Sequence, residues 1–136
     1  LFAGGGAISF HLAPAFARVM AVEIDRGAVM RGERDAARLG IANVEFVRQD
    51  ARQAPVPTGA ELVVVDPPRA GLSADVRAAV QASGADRLLY VSCDVATWAR
   101  DVADLETRGF RLARFVPYDF YPQTHHVELL SELVRA

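Results

Sequence analysis

The stretch ELVVVDPPRAGL, residues 61–72, decides how the chain is read. Four apolar residues run up to Asp66, and Pro67-Pro68, each with a fixed φ and no backbone N–H, stop the run at once. A short apolar run of this kind suits a strand buried on both faces of a parallel sheet, with one carboxylate at its carboxyl end and a stiff backbone beyond it. Working outward, the same alternation recurs. Strands are predicted over 19–24, 44–48, 61–66 and 87–92, and helices over 7–16 (with Pro14 as a blemish), 26–39, 74–82 and 97–108. Gly40 and Gly109 stand where helices close. Leu1-Phe2 reads as the end of a truncated first strand, and 110–116 and 127–134 as two strands with no helix between them. The expected fold is a doubly wound α/β domain with a mostly parallel sheet and an antiparallel C-terminal strand pair.

With 136 residues, 51% apolar and 24% charged, the chain has the composition of one globular domain. No apolar stretch approaches the roughly 20 residues of a membrane span, and no signal peptide is recognisable. A cytoplasmic protein without a membrane partner is expected. The single cysteine, Cys93, excludes an internal disulfide and cannot by itself hold zinc or an iron–sulfur cluster. A net charge of −2 makes no global case for nucleic acid, although local arginines could serve.

In such sheets ligands bind beyond the carboxyl ends of the strands, near the topological switch point. The candidate residues sit there. Gly4-Gly5-Gly6 follows a strand and precedes a helix, offering close backbone approach and amide groups at the helix start. Glu23 ends the next strand, where an acid takes ribose hydroxyls. The dinucleotide fingerprint is incomplete: Gly4 and Gly6 are present, but Ser9 replaces the third glycine, so S-adenosylmethionine, which has no phosphate, is the better cofactor. Asp50, in VRQDA, and Asp66 end further strands; Arg69 is placed to pair with Asp66 or with substrate. Cys93, in YVSCD, lies at a strand mouth between polar neighbours, as a pocket thiol rather than a core residue would. Glu128 heads the last strand in HHVELL, as a surface acid or a base. His125 and His126 lack ligand spacing, and no metal is expected. The arginines of 26–38, mixed with acids, read as a solvated helix face.

Taken together, LFAGGG, VEID, DPPRAGL, YVSCD and YPQTHHVE resemble, from end to end of the chain, the catalytic domain of the RNA uracil-5-methyltransferases, which make 5-methyluridine in ribosomal and transfer RNA. The resemblance implies the Rossmann-like S-adenosylmethionine-dependent methyltransferase fold. It implies cofactor contacts at Phe2, Gly4, Gly6, Glu23, Asp50 and Asp66, with Cys93 as nucleophile and Glu128 as base. Arg69 and Gln123, the latter in PQT-x-HVE, are carried over as substrate contacts, and RNA as the partner of the full-length protein. The chain departs from the family in three ways. Asp94-Val95 stands where Asn-Pro is usual, adding negative charge beside a thiol that has to ionise and leaving the turn less fixed; Ala3 and Ala7 replace polar residues at the glycine loop; and the chain begins inside the first motif, so residues 1–136 are expected to be a fragment of a longer protein. The alternatives are methylation of nitrogen or of a small molecule, with Cys93 structural, and a cofactor-binding module impaired in catalysis.

Overall fold

The computed structural model describes residues 1–54, 56–120, 122–124 and 127–136. They form two compact units, 1–54 and 55–136.

The first unit holds α1 (Ala7–Leu12), a 3₁₀ turn (Ala13–Ala15), β1 (Val19–Glu23), α2 (Arg26–Leu39) and β2 (Val44–Arg48). The helix expected over 7–16 is α-helical only to Leu12, where the sequence reaches Pro14 and the chain tightens. Asp25 caps α2 by accepting the Ala28 N–H at 2.6 Å, and Gly40 closes it. Ala21 and Val22 of β1, with Ala28, Val29 and Ala36 of α2, are buried. β1 and β2 pair in parallel from Val19↔Val44 to Glu23↔Arg48. Gly6, which precedes α1, has a left-handed backbone (φ 90°), and a Cβ there would run into the Phe46 ring of β2. Both facts demand glycine.

The second unit holds β3 (Leu62–Val65), α3 (Ala74–Ala82), β4 (Arg87–Ser92), α4 (Val95–Thr107), β5 (Phe110–Tyr118) and β6 (Glu128–Arg135). Its sheet has the order β3-β4-β6-β5: β3 and β4 are parallel, and β6 runs antiparallel to both β4 and β5. The expected antiparallel C-terminal pair is therefore present, with β6 placed between β4 and β5. In place of one sheet there are a two-stranded and a four-stranded one. Leu1 and Phe2 form no strand; the Ala3 N–H donates to Val22 O of β1 at 2.9 Å.

Two further expectations change. β3 is buried on one face, through Val63 and Val65, while Leu62 and Val64 are half-buried. β5 runs on to Tyr118 through Pro117, which an edge strand tolerates because its outer side needs no N–H donor. On one face of this sheet Leu88, Tyr90 and Ser92 of β4 and Leu129 and Ser131 of β6 are buried, and α4 is joined to it by bonds from Tyr90 Oη to Asp101 (2.8 Å) and from Trp98 Nε1 to Ser131 Oγ (2.9 Å).

Candidate active site

Within the first unit, the Glu23 carboxylate at the end of β1 accepts the Gly4 N–H on Oε2 (2.8 Å) and the Asp25 N–H on Oε1 (2.8 Å). Glu23 thus pins the glycine turn and the entry to α2 together. The amides of Gly4 and Gly6, expected to be open to a ligand, are engaged inside the protein, the second with Ala3 O at 2.9 Å. Each Glu23 oxygen keeps a lone pair for a further donor. Phe2 has φ 60°, a conformation that costs a non-glycine residue about 1–2 kcal/mol. It lines a concave surface with Val22, Glu23, Ile24, Gln49, Asp50 and Ala51. Phe2, Glu23 and Asp50 are therefore brought together. The sequence reading missed Arg52, whose guanidinium grips Asp50 at 2.5–3.1 Å and, with its backbone N–H, holds the Asp50 carboxyl below the usual carboxylate range.

In the second unit the register organises the site. The β4–β6 ladder runs from Arg87↔Val134 to Ser92↔Leu129, so Cys93 and Glu128 are the residues that flank its last pair. Strand alternation puts Glu128 on the face opposite Leu129 and Ser131. Asp66 follows the last β3–β4 pair, Val65↔Tyr90. Asp66 is exposed as a residue, yet loss of hydration, reinforced by the negative charge of Glu128, raises its carboxyl from the ordinary value. Cys93 is partly exposed rather than a core thiol.

Asp94, expected to loosen the turn, secures it. As N-cap of α4 it accepts the Thr97 N–H at 2.9 Å, and the Thr97 hydroxyl lies within reach of Asp94 Oδ1 (3.1 Å) and of Arg69 O (2.9 Å). Those bonds from Thr97, with a smaller contribution from the Arg69 charge, hold the Asp94 carboxyl below its usual range. Arg69 is exposed and stands near Asp94, not only near the end of β3.

The residue the sequence concealed is Asp101. Its side chain is fully buried and accepts the Leu72 N–H (2.6 Å), the Tyr90 hydroxyl (2.8 Å), Arg77 Nη1 (2.7 Å) and Arg100 Nη2 (2.8 Å). Arg100 also holds Ala70 O at 2.9 Å, so the loop after Asp66 hangs from α4. Gly71 in that loop has φ 73°, and a Cβ would strike Asp101 and Arg100. The one available signal was the spacing of Arg77, Arg100 and Asp101 on two helices, which also suits a solvated face. Burial and the Asp101 hydrogen bond and charge push the Tyr90 hydroxyl far up.

Gln123 is exposed, with φ 69°. His125 and His126 lie outside the described residues. Among the described residues no group of three metal-ligating side chains occurs, and no helix is long and apolar enough to cross a membrane.

The geometry is that of a methyltransferase domain. A general methyltransferase-domain model matches residues 1–81, and NSun6 from Pyrococcus horikoshii shares the fold at a TM-score of 0.74 and 19% identity, over 97% of the chain and 46% of that protein. More specifically, the family model described as tRNA (uracil-5-)-methyltransferase matches residues 58–135, and the chain belongs to that family. An uncharacterized RNA methyltransferase of Thermotoga maritima is 36% identical over 137 residues, 99% of the chain and 31% of the relative. The tRNA (uracil-54, C5)-methyltransferase of Pyrococcus abyssi, solved in complex with S-adenosyl-L-homocysteine, has a TM-score of 0.88 and 32% identity over 98% of the chain and 33% of that protein. The chain spans about a third of the length of these two relatives.

Proposed function

We infer that the protein methylates carbon 5 of uracil in RNA, with S-adenosylmethionine as methyl donor. The observation that supports the reading is that Cys93 and Glu128 flank the last pair of the β4–β6 ladder, with the Glu128 charge acting on Asp66, in a chain of the uracil-5-methyltransferase family.

The cofactor suits the concave surface at the end of β1: the carboxylates of Glu23 and Asp50 match ribose hydroxyls, and Phe2 and the exposed Ile24 suit an adenine ring. Gly4 and Gly6 shape the turn beside it, and Asp66 is assigned a cofactor contact in the second unit. When bound, S-adenosylmethionine supplies an electrophilic methyl group. Uracil carbon 5 is a poor nucleophile, and Cys93 answers that need. Its thiolate sulfur bonds carbon 6, and the displaced electron pair enriches carbon 5 as an enolate. Carbon 5 takes the methyl group, Glu128 removes the carbon 5 proton, and the freed pair restores the double bond and expels Cys93 Sγ. Arg69 and Gln123 are assigned to the RNA. The target base leaves its stack or lies in a loop, because carbon 6 is out of reach in a stacked duplex.

Capture of RNA containing 5-fluorouridine by the full-length protein tests the reading. A cofactor-dependent adduct that survives denaturing electrophoresis is expected, absent in Cys93→Ala. With ordinary uridine, Glu128→Gln accumulates a methylated adduct because its release step is lost. Uracil methylation by Cys93→Ala refutes the covalent route.

A further inference from the structure

Tyr118 and Phe120, at the end of β5, stack with ring centroids 5.6 Å apart and planes 5° from parallel, while 40% and 64% exposed. β5 runs parallel to β3 and β4, because each of β4 and β5 is antiparallel to β6, so its end shares the edge that carries Asp66 and Cys93. Tyr118 is the ladder partner of Glu128 itself, and the pairs Val116↔Leu130 and Arg114↔Glu132 put Val116 and Arg114 on the same face. Phe115 points the other way and packs on Trp98 at 5.7 Å. Phe115 thus supports α4, whereas the stacked pair stands open beside the candidate base.

We propose that the Tyr118–Phe120 pair is a stacking platform for a nucleotide flanking the target uridine in single-stranded RNA. The proposal rests on the RNA reading above. A stacked aromatic pair offers a flat apolar face with no hydrogen-bond requirement, matching the face of any base, whereas Glu128 and Cys93 act on one base only. A target uridine turned out of its stack leaves its neighbour without a stacking partner, and an exposed ring at the same edge supplies one. Exposed Arg111 and Arg114 on β5 complement the phosphates of the strand lying along it.

The test uses the full-length protein and a single-stranded RNA with 2-aminopurine next to the uridine. Binding to wild type quenches the 2-aminopurine fluorescence. Phe120→Ala removes the quench and raises the Kd for RNA about 5- to 150-fold, the range of base–aromatic stacking, while kcat at saturating RNA and cofactor affinity hold. Phe120→Trp restores both quench and affinity. Unchanged RNA affinity in Phe120→Ala, with wild type still methylating uridine, overturns the platform and leaves the RNA reading standing. A loss of thermal stability in RNA-free Phe120→Ala assigns the ring to packing and overturns it as well. Failure of wild type to bind uridine-containing RNA removes both.

Discussion

Replacing Asp101 by Asn changes one buried oxygen to an amide nitrogen without altering volume. Asp101 accepts from four donors, two of them guanidinium groups, with its own side chain out of reach of water. The amide has one acceptor oxygen. Its better orientation keeps that oxygen towards the Leu72 N–H and the Tyr90 hydroxyl, which share Oδ2, and turns the NH₂ towards Arg77 and Arg100, which share Oδ1. Removing one partner of a buried ion pair costs about 3–5 kcal/mol. Arg100 is half exposed and can turn to water, and Arg77 keeps Asp104 at 2.6 Å, so the lower end applies, about 3 kcal/mol. Against a typical stability of about 5–15 kcal/mol the variant folds but is weakened. Urea unfolding of the full-length protein followed by circular dichroism measures the loss. Tyr90→Phe, which deletes one bond to a charged acceptor, loses about 1.5–3 kcal/mol. Because the two residues share that bond, the double variant loses less than the sum. A loss below about 1 kcal/mol in Asp101→Asn, or strict additivity with Tyr90→Phe, refutes the view that this carboxylate suspends the loop after Asp66.

Asp94→Asn keeps an α4 cap that Asn provides equally well but removes the negative charge beside Cys93; the rate of adduct formation with 5-fluorouridine RNA rises, with unchanged helix content by circular dichroism. The raised Asp66 carboxyl binds a proton more readily folded than unfolded, so its ionisation costs stability as pH rises from the ordinary value of 3.8 through the raised one. Asp66→Asn therefore increases the melting temperature at pH 7 relative to wild type, and thermal scans show the gap closing towards pH 3. Glu23→Ala weakens S-adenosylmethionine by about 1.5–3 kcal/mol in calorimetry and also destabilises the RNA-free protein, because the Gly4 and Asp25 amides lose their acceptor.

Much of the architecture was legible because local signals agreed. The helix Arg26–Leu39 shows both ends in sequence, Asp25 before it and Gly40 after it, and β2, α3 and β4 fall where apolar periodicity puts them. Strand ends followed by acids or by a cysteine marked Glu23, Asp66 and Cys93 without any tertiary information. What sequence could not supply was the partner of each charge. Asp101, inside ARDVADLE, has the look of a solvated helix acid; it is buried because Leu72, Arg77 and Tyr90, 11 to 29 residues away, bring their donors to it. Glu23 shows an acid at a strand end but not the two backbone amides it holds. That Cys93 and Glu128 flank the same last pair depends on one strand register, and a slip of a single residue would move Glu128 off it and turn it to the other face. Residue types and periodicity are properties of short segments, so the chain determines them alone; burial of a charge and the register of distant strands are set by donors and packing that exist only once the segments have met.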